Sequence, residues 1–326
     1  MMSCSRRRFT LALGAAAIAP GTKAWAEDFP QGPVQIVVAY GPGGGTDTFA
    51  RVLAPPLSKI LGKPVTVQNL PGGGGQVAAT TLLRDGGDGL TVLATNEPDL
   101  SMSTVFNKPP YKLPDFQICM VDVVDPRVML VQQKSNIETF GDFVTRAKAE
   151  PKKLAVSVAQ GSAQEIFAKW LFEKLGLQVR LVGYGGGAPA ATALLAGDVV
   201  ATIGDDFARM NIRDGSKALF VGAPKPSPRW PEAATLAAAL APFGIAPPSP
   251  EFLARYGVYV VSAAFKAKQP AAYAKLQQAL LAARQAPEFQ NYIATSKLED
   301  LSIGRPGEDF SAQFAADLAA ITSLRN

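Results

Sequence analysis

The sequence predicts an α/β protein built as two lobes with mostly parallel sheets. Three observations carry that expectation. The chain has 326 residues, 48% of them hydrophobic and 18% charged, a length of about two domains and a composition too apolar for a disordered or fibrous protein. From Val34 onward, short β-branched runs alternate with segments of helical periodicity. The runs are continuously apolar, as expected of parallel strands covered on both faces.

The first element is a leader. Ser5-Arg6-Arg7-Arg8-Phe9 is a twin-arginine pattern, followed by an apolar run from Leu11 to Pro20 and then Ala24-Trp25-Ala26. That order defines an export signal with an A-x-A cleavage site, and the run is far short of the roughly 20 residues needed to span a bilayer. Residues 1–26 are therefore expected to be a twin-arginine signal peptide, cleaved before Glu27, and the mature protein is expected in the periplasm.

Strands are expected at Val34 to Ala39, Val65 to Gln68, Leu90 to Ala94, Val128 to Val131, Leu154 to Val158, Val179 to Val182, Val199 to Ile203, Ala218 to Val221 and Gly257 to Val261. Helical stripes follow several of them: Phe49, Leu53, Leu57, Ile60 and Leu61; Ile166, Phe167, Trp170, Leu171 and Leu175; Phe310, Phe314, Leu318 and Ile321. Spaced three and four apart, these are core faces. Pro55-Pro56 should kink or split the first helix. The proline-rich stretches Pro224 to Pro231 and Pro247 to Pro250 read as surface connections. The expected division is lobe 1 from 27–125 plus 225–326, and lobe 2 from 126–224.

The chain has no histidine, which removes Ser-His-Asp and Cys-His catalysis, His-ligated zinc and an imidazole pH switch. Loss of the leader removes four of the 32 basic residues (Arg6, Arg7, Arg8, Lys23) and none of the 27 acidic ones, lowering the net charge from +5 to +1. No basic stripe remains to argue for nucleic acid. Cys4 leaves with the leader, so Cys119 is a lone thiol, expected to be buried. With no metal-ligand cluster or prosthetic-group motif, no metal and no cofactor are expected.

The informative motifs are glycine turns, each between a strand and a helix pattern: Pro42-Gly43-Gly44-Gly45-Thr46-Asp47, Pro71-Gly72-Gly73-Gly74-Gly75, Gln160-Gly161-Ser162-Ala163 and Gly185-Gly186-Gly187-Ala188-Pro189. In an open α/β sheet such turns lie at the carboxyl ends of strands, where ligands bind. Glycine lets backbone approach a ligand, and free N–H groups at a helix start favour an anion. Taken singly, each turn is explained by tight turning with Thr46, Asp47 or Ser162 as a helix cap; four in one chain argue for a carboxylate or phosphate cradle. Gly41-Pro42-Gly43-Gly44-Gly45-Thr46 fails to complete G-x-G-x-x-G, no Walker motif is present, and Gly161-Ser162-Ala163 is not a nucleophile elbow.

Val34-Gln35-Ile36-Val37-Val38, Pro42 to Asp47, Ala50-Arg51, Val67-Gln68-Asn69, Pro71 to Gly75, Asp88-Gly89 and Tyr184 to Pro189 with Ala193-Leu194-Leu195-Ala196-Gly197 resemble, in order and over the whole mature chain, the substrate-binding proteins of tripartite tricarboxylate transporters, the Bug receptors. The resemblance implies a two-lobed periplasmic binding protein of the Venus flytrap type, with a ligand cleft between lobes, that closes on a small organic acid and delivers it to membrane permease subunits. By position it implies ligand contacts at Tyr40, Pro42, Gly43, Gly44, Gly45, Thr46 and Asp47, with Asn69 and Gly72 to Gly75 nearby. In the second lobe it implies Gly161, Ser162, Tyr184, Gly186, Gly187 and Ala188, with Asp205 toward the distal end of the ligand.

Two positions depart from the family pattern. Glu165 stands where members often carry His, and Gly185 where Lys or Arg commonly follows the tyrosine; both make the pocket mouth less positive. Ser162-Ala163-Gln164-Glu165 also fits a capping box, which is the favoured role for Glu165. Arg51, one turn into the helix, is expected to be an ion-pair partner rather than an anion clamp.

The function expected is a monomeric solute receptor for a small carboxylate (a di- or tricarboxylate, amino acid or aromatic acid), not an enzyme. The alternatives are a ligand-presenting subunit for a membrane signalling sensor, or an isomerase or lyase using Asp47, Glu165 or Asp205 as base.

Overall fold

The computed structural model describes residues 29–106, 109–247 and 253–323. The signal peptide, its cleavage site and part of the second proline-rich stretch lie outside the described residues.

β1 (Val34–Val38), β2 (Val65–Asn69) and β3 (Thr91–Glu97) form a parallel set with β1 in the middle. The helices Gly45–Leu61 and Gln76–Asp85 make the crossovers, as parallel pairing requires. β4 (Phe116–Gln132) follows, 17 residues long. Then come β5 (Ala155–Ala159), β6 (Arg180–Tyr184), β7 (Ala201–Asp205), β8 (Ser216–Val221), β9 (Ala234–Thr235), β10 (Ala254–Ser262) and β11 (Ser302–Pro306). The strand order is β2-β1-β3-β10-β4-β7-β5-β6, with β11 and β8 also on β4.

β4 joins the two lobes. Up to Pro126 it pairs antiparallel with β10 and β11; from Arg127 it pairs antiparallel with β7 and β8. The parallel pairs lie outside this seam, at β1–β2, β1–β3, β5–β6, β5–β7 and the short β8–β9. The sheets are thus mixed: an apolar run announces a buried strand but reads the same in either direction. The expected Val128 to Val131 run is only the end of β4, because Asp122, Asp125 and Arg127 interrupt the apolar pattern that would have extended it.

Each lobe has its own core. Val34, Ile36, Phe49, Leu53 and Leu57 pack with Tyr259, Leu276, Leu280 and Phe289 in one. Met129, Phe143, Val156, Phe167, Leu171 and Phe220 build the other. The return to the first lobe comes later than residue 225: Trp230, Ala233, Leu236 and Leu240 pack in second-lobe clusters, β9 pairs with β8, and first-lobe pairing resumes at Ala254. Ile321 of the last helix, Ser311–Ser323, also reaches the second core.

The helix Gly45–Leu61 runs through Pro55 and Pro56 without a break. Phe49, Leu53, Leu57 and Leu61 are buried along one face, and that packing outweighs the two N–H donors the prolines lack. Ile60 turns outward, 45% exposed. Cys119 is free and buried, its thiol pKa pushed up by burial, which makes it inert. No helix among the described residues is long and apolar enough to cross a membrane.

Candidate ligand-binding site between the lobes

Residues at the carboxyl ends of β1, β3, β5, β6 and β7 line two adjoining chambers that share Tyr40, Ala159 and Ser162. The outer chamber, about 640 Å³, is walled by Pro71 to Gln76 on one side and by Gln160, Gly161, Gly185 and Gly186 on the other. The inner one, about 50 Å³, is walled by Gly44 to Thr46, Asn96, Asp99, Gln164, Gly187, Asp205, Ala208, Arg209 and Arg255. A volume of that size admits a group about as large as a carboxylate.

The two glycine turns nearly touch. Gly74 has φ 65°, and a Cβ there would sit 3.1 Å from the Gly161 carbonyl oxygen. Only glycine combines that left-handed torsion with that approach.

Of the residues expected from the sequence, Tyr40, Gly44, Gly45, Thr46, Ser162, Gly187 and Asp205 line the inner chamber. Gly161 and Gly186 line the outer one with Gly72 to Gly75. Pro42, Gly43, Asp47, Asn69, Tyr184 and Ala188 line neither. Asp47 and Asn69 brace the first turn: Asp47 Oδ2 accepts from Gly43 N at 2.9 Å, and Asn69 Nδ2 donates to Tyr40 O at 3.0 Å and to Asp47 Oδ1 at 2.9 Å. Arg51 is the ion-pair partner of Asp47 at 2.9 Å. Tyr184 packs against the second-lobe apolar cluster around Leu194 and Trp230.

Ser162 caps its helix: its hydroxyl donates to Ala159 O at 2.7 Å and accepts from Gln164 N at 3.2 Å. Glu165 reaches one residue further back than a capping box, accepting from Gly161 N at 2.8 Å and pairing with Lys169 at 2.6 Å. Burial raises its pKa, but Lys169 and the Gly161 N–H outweigh it and hold the carboxyl below its usual range. The three acids considered as possible bases, Asp47, Glu165 and Asp205, are all salt-bridged to cations.

The inner chamber contains a charge cluster that motif reading did not find. Asp205 pairs with Arg127 and accepts from Gln164 Nε2 at 2.8 Å. Arg255 spans the lobes, with Nη2 2.7 Å from Asp125 Oδ2, Nε 3.2 Å from Asp205 Oδ2, and Nη1 donating to Asn96 Oδ1 at 2.9 Å. Asp99 bridges the lobes too, accepting from Tyr40 Oη at 3.1 Å and from Ala163 N of the opposite lobe at 2.8 Å. Burial raises the Asp99 pKa, opposed by Arg127, and raises that of Asp125 to about 6, opposed by Arg255.

Arg209 is different. It is 1% exposed, lines the inner chamber, and among the described residues has no carboxylate oxygen within the 4.0 Å of an ion pair. Nη2 donates to Ile203 O at 3.1 Å, and Nε has no partner. The helical turn Phe207–Gly215 buries Arg209 and Ile212 together, since residues three apart eclipse in a 3₁₀ helix. Asp125 anchors its start by accepting from Phe207 N at 2.9 Å. The guanidinium lies flat over Gly204, where a Cβ would come within 2.3 Å, and beside Gly187. Burial lowers its pKa to about 10, so it stays cationic at neutral pH.

Nearby Glu97, 1% exposed, accepts from Ser101 Oγ at 2.6 Å through Oε2 and leaves Oε1 unpartnered. Burial raises its pKa from 4.5 to about 7. A folded-state pKa above the unfolded one stabilises at low pH and loses that contribution as pH rises from about 4.5 through 7, here by roughly 3 kcal/mol. Glu97→Gln should therefore raise the melting temperature at pH 8 and leave it nearly unchanged at pH 5. Equal effects at the two pH values would show that Glu97 is not protonated in the fold.

Two mixed α/β lobes joined by a shared strand, with a polar cleft between them and a buried cation facing it, define a solute-binding protein of the periplasmic type. Residues 49–320 match the tripartite tricarboxylate transporter family receptor, and the chain belongs to that family. It is 31% identical to BugT of Bordetella pertussis over 65% of this chain and 67% of that one. It is 30% identical to a protein encoded in the gbd 5′ region of Cupriavidus necator, over 94% and 90%. Among solved structures, the periplasmic binding protein BugD superposes with a TM-score of 0.78 at 22% identity, covering 91% of this chain and 97% of that one. MatC from Rhodopseudomonas palustris with bound malate gives 0.78 at 21%, covering 91% and 100%.

Proposed function

We propose that this receptor works in the periplasm, captures one small organic acid between its lobes, and hands it to the permease subunits of a tripartite tricarboxylate-type transporter. The observation that carries the proposal is Arg209, a buried guanidinium without a carboxylate partner, facing the inter-lobe chamber. Asp205 and Asp125 attract this guanidinium only at longer range; a buried charge without a direct ion pair is costly to keep, and a ligand carboxylate would offset that cost in the closed state. Differential affinity for the closed form is what a closing receptor requires. Relatives of the same fold with bound malate and with adipate support a carboxylate ligand.

The test is a thermal-shift and calorimetry screen of residues 27–326 against carboxylic acids at fixed pH and salt, with the bound acid recovered afterwards. A ligand at 100 times its Kd adds about 2.7 kcal/mol to the folded state. A selective rise with one class of acid, recovered unchanged, is the expected result. Conversion of the acid would make the protein an enzyme, and no binding by any acid would remove the receptor reading.

A further inference from the structure

Among the bonds the chain makes across its own cleft, one is placed to act as a latch. Asp99 opens the helix Asp99–Phe106, just beyond the end of β3. Its side chain lines the inner chamber and is buried, 7% exposed. On its own lobe Oδ2 accepts from the Tyr40 hydroxyl at 3.1 Å, which aims Oδ1 at the opposite lobe, where it accepts from Ala163 N at 2.8 Å.

That amide has its acceptor across the cleft, whereas its neighbours are satisfied at home. Gln164 N donates to Ser162 Oγ at 3.2 Å and Glu165 N to Ser162 O at 3.1 Å. Ala163 is fully buried and is the first residue of the 12-residue helix Ala163–Lys174. A carboxylate at the positive end of a helix makes a charge-assisted hydrogen bond, stronger than a neutral one.

Place in the sheet gives this bond its leverage. The joining strand β4 is central in the order β3-β10-β4-β7-β5. The other inter-lobe charge contact, Arg255 of β10 with Asp205 of β7, lies one strand from β4 on either side. Asp99 and Ala163 follow the ends of β3 and β5, two strands away on either side. Rotation of the lobes about β4 therefore separates Asp99 from Ala163 more than it separates Arg255 from Asp205.

We infer that Asp99 is a positioning residue that latches the second-lobe helix onto the first lobe, so that the chain's own bonds favour closure whatever the chamber holds. A charge-assisted hydrogen bond shifts such a balance by about tenfold or more. The role in capture rests on the receptor reading, because an acid that binds the closed form gains apparent affinity in proportion to the fraction already closed. Closure itself is measurable with no acid present.

Two variants remove the bond from opposite lobes. Asp99→Ala deletes the acceptor. Ala163→Pro deletes the donor at the first helical position, where proline is tolerated, after Ser162 in the extended backbone that a following proline requires. Small-angle X-ray scattering on residues 27–326, exhaustively dialysed and with no acid added, would compare wild type, each variant and the double variant, with thermal melts reporting the fold. Wild type should scatter as the closed structure does. Each variant should lose about tenfold in its closed-to-open ratio, read as a larger radius of gyration, and the double variant should open no further than either single one, since all three lack the same bond. If one variant fails to fold, the other carries the test.

A folded variant as compact as wild type, or a wild type that scatters as an open form, would overturn the latch. So would a double variant that opens by the sum of the two single effects. None of these outcomes involves acid binding, so the loss of the latch would leave the receptor reading intact, and a failed acid screen would leave the latch to be measured.

Discussion

Arg209→Met is expected to weaken binding of the captured acid by at least about 30-fold, because losing one partner of a desolvated charge pair costs about 2–5 kcal/mol. Its effect on the ligand-free fold should be small by comparison. Arg209 makes one hydrogen bond, to Ile203 O, and no ion pair among the described residues, so methionine of similar length removes a buried charge that is costly to keep. Calorimetry and thermal melts on the same preparation would separate the two quantities. Gly204→Ala is a companion test that leaves the arginine in place: its Cβ would lie within 2.3–2.5 Å of the guanidinium, displacing it from its seat, and should also lower affinity. Unchanged affinity in Arg209→Met would show that the carboxylate sits elsewhere.

The second large effect is on stability. Arg229 is almost fully buried and pairs with Asp206 twice, Nε to Oδ1 at 2.7 Å and Nη2 to Oδ2 at 2.9 Å, while Nη1 reaches Asp300 Oδ1 at 2.7 Å and Lys297 O at 2.6 Å. It ties the end of β7 to the first-lobe segment around Asp300. Arg229→Met strands the Asp206 carboxylate in the interior and should cost about 3–5 kcal/mol in chemical denaturation. Adding Asp206→Asn should recover much of that loss, because the stranded charge carries most of the cost. A double variant no more stable than Arg229→Met would place the effect in lost packing.

Much of the fold was legible without coordinates. The nine expected strands all fall on observed ones, since short apolar β-branched runs bounded by turns are local patterns. All four glycine motifs lie beside helix starts, and all four contribute to the chamber walls. What local pattern could not show was strand direction, the length of β4 through its charged interruptions, and the late return to the first lobe. Continuity of the helix through Pro55-Pro56 was equally hidden, because core packing rather than propensity decides it.

The site divides the same way. Glycine turns are visible because their requirement is backbone geometry written into adjacent residues. Arg127, Arg209 and Arg255 were not visible, because a lone arginine in a sequence reads as a solvated surface charge. The one local hint was Asp122, Asp125 and Arg127 inside an otherwise apolar run.

The sequence by itself determined the α/β class, the family and the glycine framework of the cleft, all of which depend on residues close together in the chain. Only the tertiary structure decided which charges are buried and which are paired. Arg127 meets Asp205 across 78 residues, Arg255 meets Asp125 across 130, and Arg209 forms no ion pair within 4.0 Å among the described residues, Asp205 and Asp125 acting on it only from further off. Burial and pairing belong to distances in space, and it is there that Arg209 comes to face the inner chamber with no carboxylate oxygen within 4.0 Å among the described residues.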